Sequence, residues 1–300
     1  MLKSRHFALI AVIALSALLF VLWMTSHSST RGQEPSPAPI DLGAVQSTRT
    51  PTITPHPTAS NALATATVAL ACTAAIGQII TITIPSSIYG RSIPVDVYLP
   101  PCYSQSTTTY PVIYLLHGGS ADQTQWPDLN VRSEADALIR SGLPPFVVVM
   151  PGGEYRPGLN YAAFVLKDLL PEIAQQFRLK TDRLEQSIGG LSLGGYWALK
   201  LAFLHPDLFA AVGSYSPVVD LGQADDPLPL ARTASGLSAL RIMLDVGDVD
   251  PLLAGTQQLV QQLQARSISV TFSINPGGHN RAYWRLHTGE YLRFLLAASP

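Results

Sequence analysis

The chain lacks any excess of basic residues. Its 300 residues include 19 Lys and Arg against 20 Asp and Glu, which gives a formal net charge of −1. A nucleic-acid-binding surface needs clustered positive charge to meet phosphates, so we expect no nucleic-acid partner. Cysteine is also scarce, with two residues in the whole chain. Because these form no C-x-x-C pair and no Cys/His cluster, the sequence predicts no metal site.

The N-terminus has the features of an export signal. Lys3, Arg5 and His6 precede an apolar run at residues 7–24, and a polar stretch follows it. A charged region before an apolar core marks a signal segment. The run is 18 residues long, close to the shortest helix that spans a bilayer, and no convincing A-x-A cleavage site follows it. We therefore predict an uncleaved signal anchor over residues 1–25 and an extracytoplasmic remainder; a cleaved signal peptide is the alternative.

A tether is predicted between this segment and the folded domain. Residues 26–74 are rich in Ser, Thr, Pro and Ala and contain few aromatic residues, a composition typical of chains that stay disordered. Cys72 lies at the end of the tether and Cys102 near the start of the domain. In an exported protein these two can form one disulfide that pins the start of the domain to its first hairpin. Two unpaired thiols are the alternative.

Residues 75–300 alternate between strand and helix patterns and contain no internal repeat. The length and the 47% hydrophobic content of the chain are sufficient for one sizeable domain. Because the first two predicted strands follow each other with no room for a helix, they should pair antiparallel. The remaining strands alternate with helices, which predicts a mostly parallel, doubly wound α/β sheet. Strands are expected at residues 79–84, 95–100, 112–118, 146–153, 186–192, 210–216, 240–247 and 270–279, and helices at 133–142, 162–177, 197–206, 254–267 and 282–298.

A serine between glycines stands where a predicted strand meets a predicted helix. Gly190, Ser192 and Gly194 form the pattern G-x-S-x-G. Glycine tolerates a positive φ and lets two backbones approach closely. In a strand-turn-helix setting this pattern is the nucleophile elbow, which lifts the serine oxygen clear of the backbone. We therefore predict Ser192 as a nucleophile.

A serine nucleophile needs a histidine base that lies after the acid in chain order. His279 follows the last predicted strand, where reactive groups of such sheets gather, and it is the predicted base; a surface loop residue is the alternative. His287 lies within the closing helix pattern and is expected to be a hydrogen-bonded helix residue. His205 precedes a proline at a helix end and is expected to cap that helix or to pack against neighbouring residues.

Three carboxylates compete for the role of the acid. Asp245 lies inside the strand pattern 240–247 and should flank the site or meet a neighbouring strand end. Asp248 follows the glycine at once and should be a solvated turn residue. Asp250 reaches past the strand end, which favours the role of acid, although it also precedes a proline and could instead be a helix N-cap.

The segment "YLLHGGS" ends another predicted strand and carries Gly118 and Gly119. Acyl transfer needs backbone N–H groups aimed at the oxygen that becomes negative in the tetrahedral intermediate. Gly119 N–H is the predicted donor from this loop, paired with the N–H of Leu193, which follows the nucleophile. A plain glycine turn is the alternative.

Together these segments resemble the esterase D-like family of α/β-hydrolases, which includes feruloyl and acetylxylan esterases, S-formylglutathione hydrolase and the mycolyltransferases. The resemblance implies the α/β-hydrolase fold, with Ser192 as nucleophile, Asp250 as acid, His279 as base, and Gly119 and Leu193 as oxyanion donors. It extends from about residue 79 to residue 296 and rests on "VYLPPCY", "VIYLLHGG" with Trp126 after it, "KDLLPEI", "IGGLSLGGYWALKLAFLHPDLFAAVGSYS", "LDVGDVDPLL" and "GGHNRAYW".

The family implies a serine hydrolase that cleaves carboxylic esters through an acyl-enzyme and needs no cofactor. The substrate is expected to be a small-molecule or saccharide-linked ester. One alternative is an acyltransferase that passes the acyl group to a sugar, as in the mycolyltransferase branch. Another is a non-catalytic surface-binding domain that keeps the hydrolase fold.

The predicted anchor and tether can be tested in intact cells. The protein should fractionate with membranes, and mild protease should release an active fragment that begins between residues 26 and 71, because exposed, unstructured segments are the preferred sites of cleavage. N-terminal sequencing of the released fragment locates the cut. Recovery of the protein from the medium without residues 7–24 would instead establish a cleaved signal peptide.

Overall fold

The computed structural model describes residues 75–155 and 158–296. Eight strands form one sheet: β1 Gln78–Ser86, β2 Arg91–Leu99, β3 Val112–Leu116, β4 Val147–Pro151, β5 Gln186–Leu191, β6 Ala211–Tyr215, β7 Arg241–Gly247 and β8 Val270–Asn275. The helices are α1 Gln125–Asp128, α2 Val131–Arg140, α3 Tyr161–Ala163, α4 Leu170–Gln176, α5 Leu193–Leu204, α6 Pro227–Thr233, α7 Leu253–Gln264 and α8 Arg281–Leu296. A π-helical turn, Phe164–Leu169, joins α3 to α4, and single 3-10 turns lie at Tyr103–Gln105, Arg183–Glu185 and Leu237–Ala239.

The sheet has the order β1-β2-β4-β3-β5-β6-β7-β8. β1 pairs antiparallel with β2, and β2 pairs antiparallel with β4. Every pairing from β4 through β3 to β8 is parallel. The predicted fold class is therefore confirmed: an antiparallel N-terminal pair leads into a mostly parallel, doubly wound sheet.

Two hydrophobic cores lie on opposite faces of the sheet, because successive side chains of a strand point to opposite sides. In β3, Val112 and Tyr114 pack with α4, α5 and α7, whereas Ile113 and Leu115 pack with α2 and α8. The central parallel strands are buried along their whole length, as expected when helices cover both faces of a sheet.

Helix α6 has no counterpart among the predicted helices. Its sequence, PLPLART, contains two prolines and is only seven residues long, so it carries no helical period that a pattern search can detect. Proline fits the first turn of a helix because the N–H groups there have no intrahelical partner. The helix forms as part of the loop that leads from β6 to β7, with Leu228 and Leu230 buried in the core.

Several predictions from the N-terminal sequence lie outside the described residues. These are the signal segment, the tether and Cys72. Cys102 is disulfide-bonded, and its pairing with Cys72 stays a prediction. Within residues 75–155 and 158–296, no helix has the length and apolar character required to cross a membrane.

Candidate active site

The residues predicted to form the active site lie at one edge of the sheet, where its parallel strands end. Gly119 follows β3, Ser192 follows β5, Asp250 follows β7 and His279 follows β8. These strands run parallel, so their carboxyl ends share this edge, which is where ligands bind in open α/β sheets. The sheet thus assembles residues that are far apart in the sequence.

Ser192 occupies a strained turn between β5 and α5. Its backbone has φ 55° and ψ −114°, a region that residues with a side chain rarely adopt. A methyl group on Gly190 would overlap the backbone of Gly194, and one on Gly194 would overlap the carbonyl of His117. Both glycines are therefore required for close backbone approach, as the G-x-S-x-G pattern predicts. The side chain of Ser192 is left partly exposed to solvent.

The structure brings Ser192, His279 and Asp250 into a hydrogen-bonded row. His279 Nε2 lies 3.0 Å from Ser192 Oγ. On the other side of the ring, His279 Nδ1 lies 3.0 Å from Asp250 Oδ2 and 3.2 Å from Oδ1. The His279 side chain is 28% exposed, whereas that of Asp250 is fully buried. A partly exposed imidazole is thus backed by a carboxylate that solvent does not reach.

Asp250 is ionised although it is buried. Burial acts to raise its pKa, but hydrogen bonds from His279, from Leu252 N–H and from Ser216 outweigh that effect and leave the pKa of Asp250 below its ordinary value. Leu252 N donates to Asp250 Oδ1 at 2.8 Å. Asp250 therefore also orders the turn before α7, so the cap-like role considered from the sequence accompanies the contact with His279 and does not replace it.

The two other carboxylates have different surroundings. Asp245 is completely buried and accepts hydrogen bonds from the hydroxyl groups of Tyr283 and Tyr291 and from Asn275 Nδ2. It joins β7 to β8 and α8. Asp248 is exposed and accepts Gly277 N–H at 2.9 Å, as expected of a turn residue. Asp250 is the one of the three within hydrogen-bonding distance of His279.

The two predicted oxyanion donors are neighbours beside Ser192. A methyl group built on Gly119 would lie 3.4 Å from Leu193 Cδ2, so the loop after β3 contacts the start of α5. Leu193 is the first residue of α5, and an N–H at that position has no intrahelical acceptor. It also lies at the positive end of the helix dipole. Leu193 N–H is thus without an intrahelical acceptor beside the loop that carries Gly119, and the pairing of the two N–H groups stays a prediction.

His117 also belongs to this region, although the sequence pattern assigned it no role. Its ring is buried, with Nδ1 2.7 Å from Gly118 O and Nε2 2.9 Å from Gly153 O. Tyr155 donates its hydroxyl to His117 O at 2.8 Å. The sequence signal for His117 was its position directly before the two glycines, because Gly153 and Tyr155 belong to the loop after β4.

Trp284 packs against the ring of His279. The rings of His279 and Trp284 meet edge to face, with centroids 4.9 Å apart. Trp284 Nε1 donates to Ser216 Oγ at 3.1 Å. Ser216 itself has φ 51°, and its N–H donates to Asp245 O at 2.7 Å. The buried cluster around Asp245 is thus connected to the ring that holds His279 in place.

The other two histidines considered from the sequence lie away from this row. His205 ends helix α5, in agreement with the predicted capping position. His287 lies in α8, with Nδ1 3.4 Å from Glu290 Oε2. Its Nε2 is buried and has no hydrogen-bond partner among the described residues, so its ring is less fully bonded than the sequence predicts.

Metal-ligand clusters were searched for across residues 75–155 and 158–296. No group of three or more His, Cys, Asp or Glu side chains in this part of the chain is placed to hold a metal ion.

Comparison with known proteins identifies relatives of this domain. A family model described as "Putative esterase" matches residues 86–294. An esterase of Mycobacterium tuberculosis strain H37Rv is 33% identical over 135 residues, which cover 41% of this chain and 28% of that protein. An endo-1,4-beta-xylanase/feruloyl esterase of Xylanibacter ruminicola is 30% identical over 159 residues, which cover 47% of this chain and 22% of that protein. The matched segments thus span under a third of each of these relatives.

Solved structures have the same fold. A ferulic acid esterase superposes with a TM-score of 0.70 at 25% identity, covering 74% of this chain and 98% of that chain. S-formylglutathione hydrolase of Staphylococcus aureus superposes with a TM-score of 0.66 at 20% identity, covering 74% and 99%. Since the family model covers more than half of the sequence, the chain belongs to this esterase family and has the α/β-hydrolase fold.

Proposed function

We propose that the protein is a serine esterase that hydrolyses carboxylic esters through an acyl-enzyme on Ser192. The observation that carries the proposal is the row from Ser192 Oγ to His279 Nε2 and from His279 Nδ1 to Asp250, with 3.0 Å at each step. Membership of the esterase family supports the same reaction. The ester is proposed to be a small molecule or one linked to a saccharide, in keeping with relatives named as feruloyl esterases.

In the proposed reaction, His279 Nε2 takes the hydroxyl proton of Ser192 while Oγ attacks the ester carbonyl carbon. The negative charge that develops on the carbonyl oxygen is stabilised by the N–H groups of Leu193 and Gly119. The tetrahedral intermediate then expels the alcohol, which takes the proton from His279. An acyl ester of Ser192 remains. Water then attacks the acyl carbon while His279 takes its proton, and as the acid leaves, His279 returns that proton to Ser192 Oγ.

Asp250 holds the imidazole in the tautomer that this reaction requires. A carboxylate that accepts Nδ1–H leaves the lone pair of Nε2 facing Ser192. It also stabilises the imidazolium that forms during each proton transfer. Because Asp250 is fixed by Leu252 N–H as well, its oxygens have little freedom to turn away from His279.

The proposal extends to an exported enzyme attached to the membrane by its N-terminal segment. Its support is the charged start and apolar run of the sequence, followed by a tether without a recognisable cleavage site. In such an arrangement, the tether would hold the esterase domain at the outer surface.

Replacement of Ser192 tests the proposed function directly. Ser192→Ala removes the nucleophile while leaving the fold intact, and should lower kcat by about 10³-fold or more. Hydrolysis of p-nitrophenyl acetate and labelling by a fluorophosphonate are the two measurements. Ser133→Ala, on the exposed face of α2, is the matched control and should behave as wild type. Undiminished activity or labelling in the Ser192 variant would refute the assignment.

A set of three Asp→Asn variants tests which carboxylate is the acid. Asp250→Asn should lower kcat by up to about 10⁴-fold, because an amide favours the wrong tautomer of His279. Asp245→Asn places an NH₂ group against buried donors and should mainly lower the free energy of unfolding, by about 1–3 kcal/mol. Asp248→Asn should change neither property appreciably. If the Asp245 or Asp248 variant shows the greatest loss of kcat while Asp250→Asn affects only stability, Asp250 is a structural residue.

The dependence of kcat/KM on pH tests for a histidine base. The pKa of Asp250 lies below its ordinary value, so this carboxylate stays charged in mild acid and cannot cause a loss of activity near neutral pH. We expect kcat/KM to fall on acidification, because a protonated imidazole cannot accept the hydroxyl proton of Ser192. Initial rates on a neutral ester between pH 4 and pH 9 give the profile. Constant activity down to pH 5 is incompatible with this base.

A further inference from the structure

Two consecutive peptide groups lead from β3 into the proposed oxyanion hole, and side chains bond three of their four polar atoms. In the first peptide, His117 O accepts the Tyr155 hydroxyl at 2.8 Å, and Gly118 N–H donates to Gln125 Oε1 at 2.6 Å. In the second, Gly118 O lies 2.7 Å from His117 Nδ1 and also accepts Ala121 N–H at 3.2 Å. Among the described residues, the fourth atom, Gly119 N–H, has no acceptor.

This pattern fixes the direction of the remaining N–H. A peptide group is planar and trans, so its N–H points opposite to its carbonyl oxygen. A hydrogen bond that fixes the position of Gly118 O therefore also fixes the direction of Gly119 N–H. Gly119 is exposed, whereas Gly118 is buried, so the one unbonded N–H of this segment is also the one that a substrate can reach.

The His117 ring faces two carbonyl oxygens but carries a single proton. Its side chain is buried, and that burial lowers its pKa despite the hydrogen bonds to Gly118 and Gly153. The ring is therefore neutral at neutral pH, and a neutral imidazole has one N–H donor. Only one of its two N···O contacts can be a hydrogen bond. The contact of Nδ1 with Gly118 O, 2.7 Å, is shorter than that of Nε2 with Gly153 O, 2.9 Å.

We propose that His117 donates from Nδ1 to Gly118 O and is a positioning residue that aims Gly119 N–H at the developing oxyanion. Gln125 and Tyr155 hold the preceding peptide, so the three side chains together preorganise the loop. The inference rests on the proposed function, since it assigns how one oxyanion donor of that reaction is kept in place. His117 itself contacts neither Ser192 nor the substrate in this proposal.

Two substitutions separate the contacts made by the ring. The amide nitrogen of Asn can occupy the place of Nδ1, so His117→Asn keeps the bond to Gly118 O and loses the contact with Gly153 O. His117→Gln can place its amide nitrogen near the position of Nε2, so it keeps the contact with Gly153 O and loses the bond to Gly118 O. Both are neutral amides that differ by one methylene group, which makes each the control for the other.

We expect the kcat of His117→Asn on p-nitrophenyl acetate to stay within about fivefold of the wild-type value. The kcat of His117→Gln should fall by about 10²-fold or more with little change in KM, because the oxyanion donor is misdirected. Affinity for a trifluoromethyl ketone, which forms a tetrahedral adduct with the serine, should fall in parallel with kcat/KM. Thermal unfolding of both variants establishes that they fold. His205→Gln, at the end of α5, is a control for histidine replacement outside the site and should leave kcat unchanged.

Other outcomes overturn the inference. Equal activity of folded Asn and Gln variants, whether high or low, would show that Nδ1–H is not what positions the loop. Higher activity of the Gln variant than of the Asn variant would show that the ring acts through a hydrogen bond to Gly153 O and positions the loop after β4. Fluorophosphonate labelling of the wild-type protein distinguishes these results from failure of the proposed function: if Ser192 is labelled, the esterase assignment stands on its own, and if it is not, the proposed function fails first.

Discussion

The close approach of three backbone segments at Ser192 is the constraint on which the rest of the site depends. The end of β5, the start of α5 and the loop after β3 meet where Gly190 and Gly194 have no room for a side chain. The backbone of Ser192 is forced to φ 55°, a conformation that costs about 1–3 kcal/mol. Hydrogen bonds from Ser192 N–H to Tyr215 O and from Val218 N–H to Ser192 O hold it there. The position of the nucleophile and that of both proposed oxyanion donors follow from this one junction.

Much of the fold follows from local sequence patterns. All eight strands appear where apolar runs predict them. For the central strands β3, β4 and β6 the reason is that a buried parallel strand is a short, continuous apolar segment bounded by turn residues. The antiparallel start follows from the absence of room for a helix between β1 and β2. Helix α6 escaped prediction because its stability comes from tertiary burial of Leu228 and Leu230 and not from a helical period. In the sheet, β4 lies between β2 and β3 although it follows β3 in the chain. This order likewise depends on packing that no local sequence pattern predicts.

The candidate site residues that chain order and strand ends determine could be predicted from the sequence. Contacts between side chains from different loops could not. Ser192, His279 and Asp250 each follow a strand, so the sequence alone brings them to one edge of the sheet. Burial could not have chosen among the carboxylates, since Asp245 is more deeply buried than Asp250. Their partners separate them: Asp245 meets hydroxyl and amide donors, and Asp250 meets the imidazole. The contacts of His117 with Gly153 and Tyr155 depend on the loop after β4 and have no signature in the local sequence.

The parallel arrangement of the sheet also determines when activity can arise during folding. Ser192 and His279 are 87 positions apart in the chain, and Ser187 of the central strand β5 donates to Leu295 O, 108 positions away. Contacts across such separations require the closure of long loops, and topologies rich in them fold slowly. In a chain in which β5 and α5 have formed, but β8 and α8 have not docked, Ser192 lacks the His279 that we propose as its base. On the proposed mechanism, regain of esterase activity would therefore report the docking of β8 and α8, and a partly folded domain without them would be inactive.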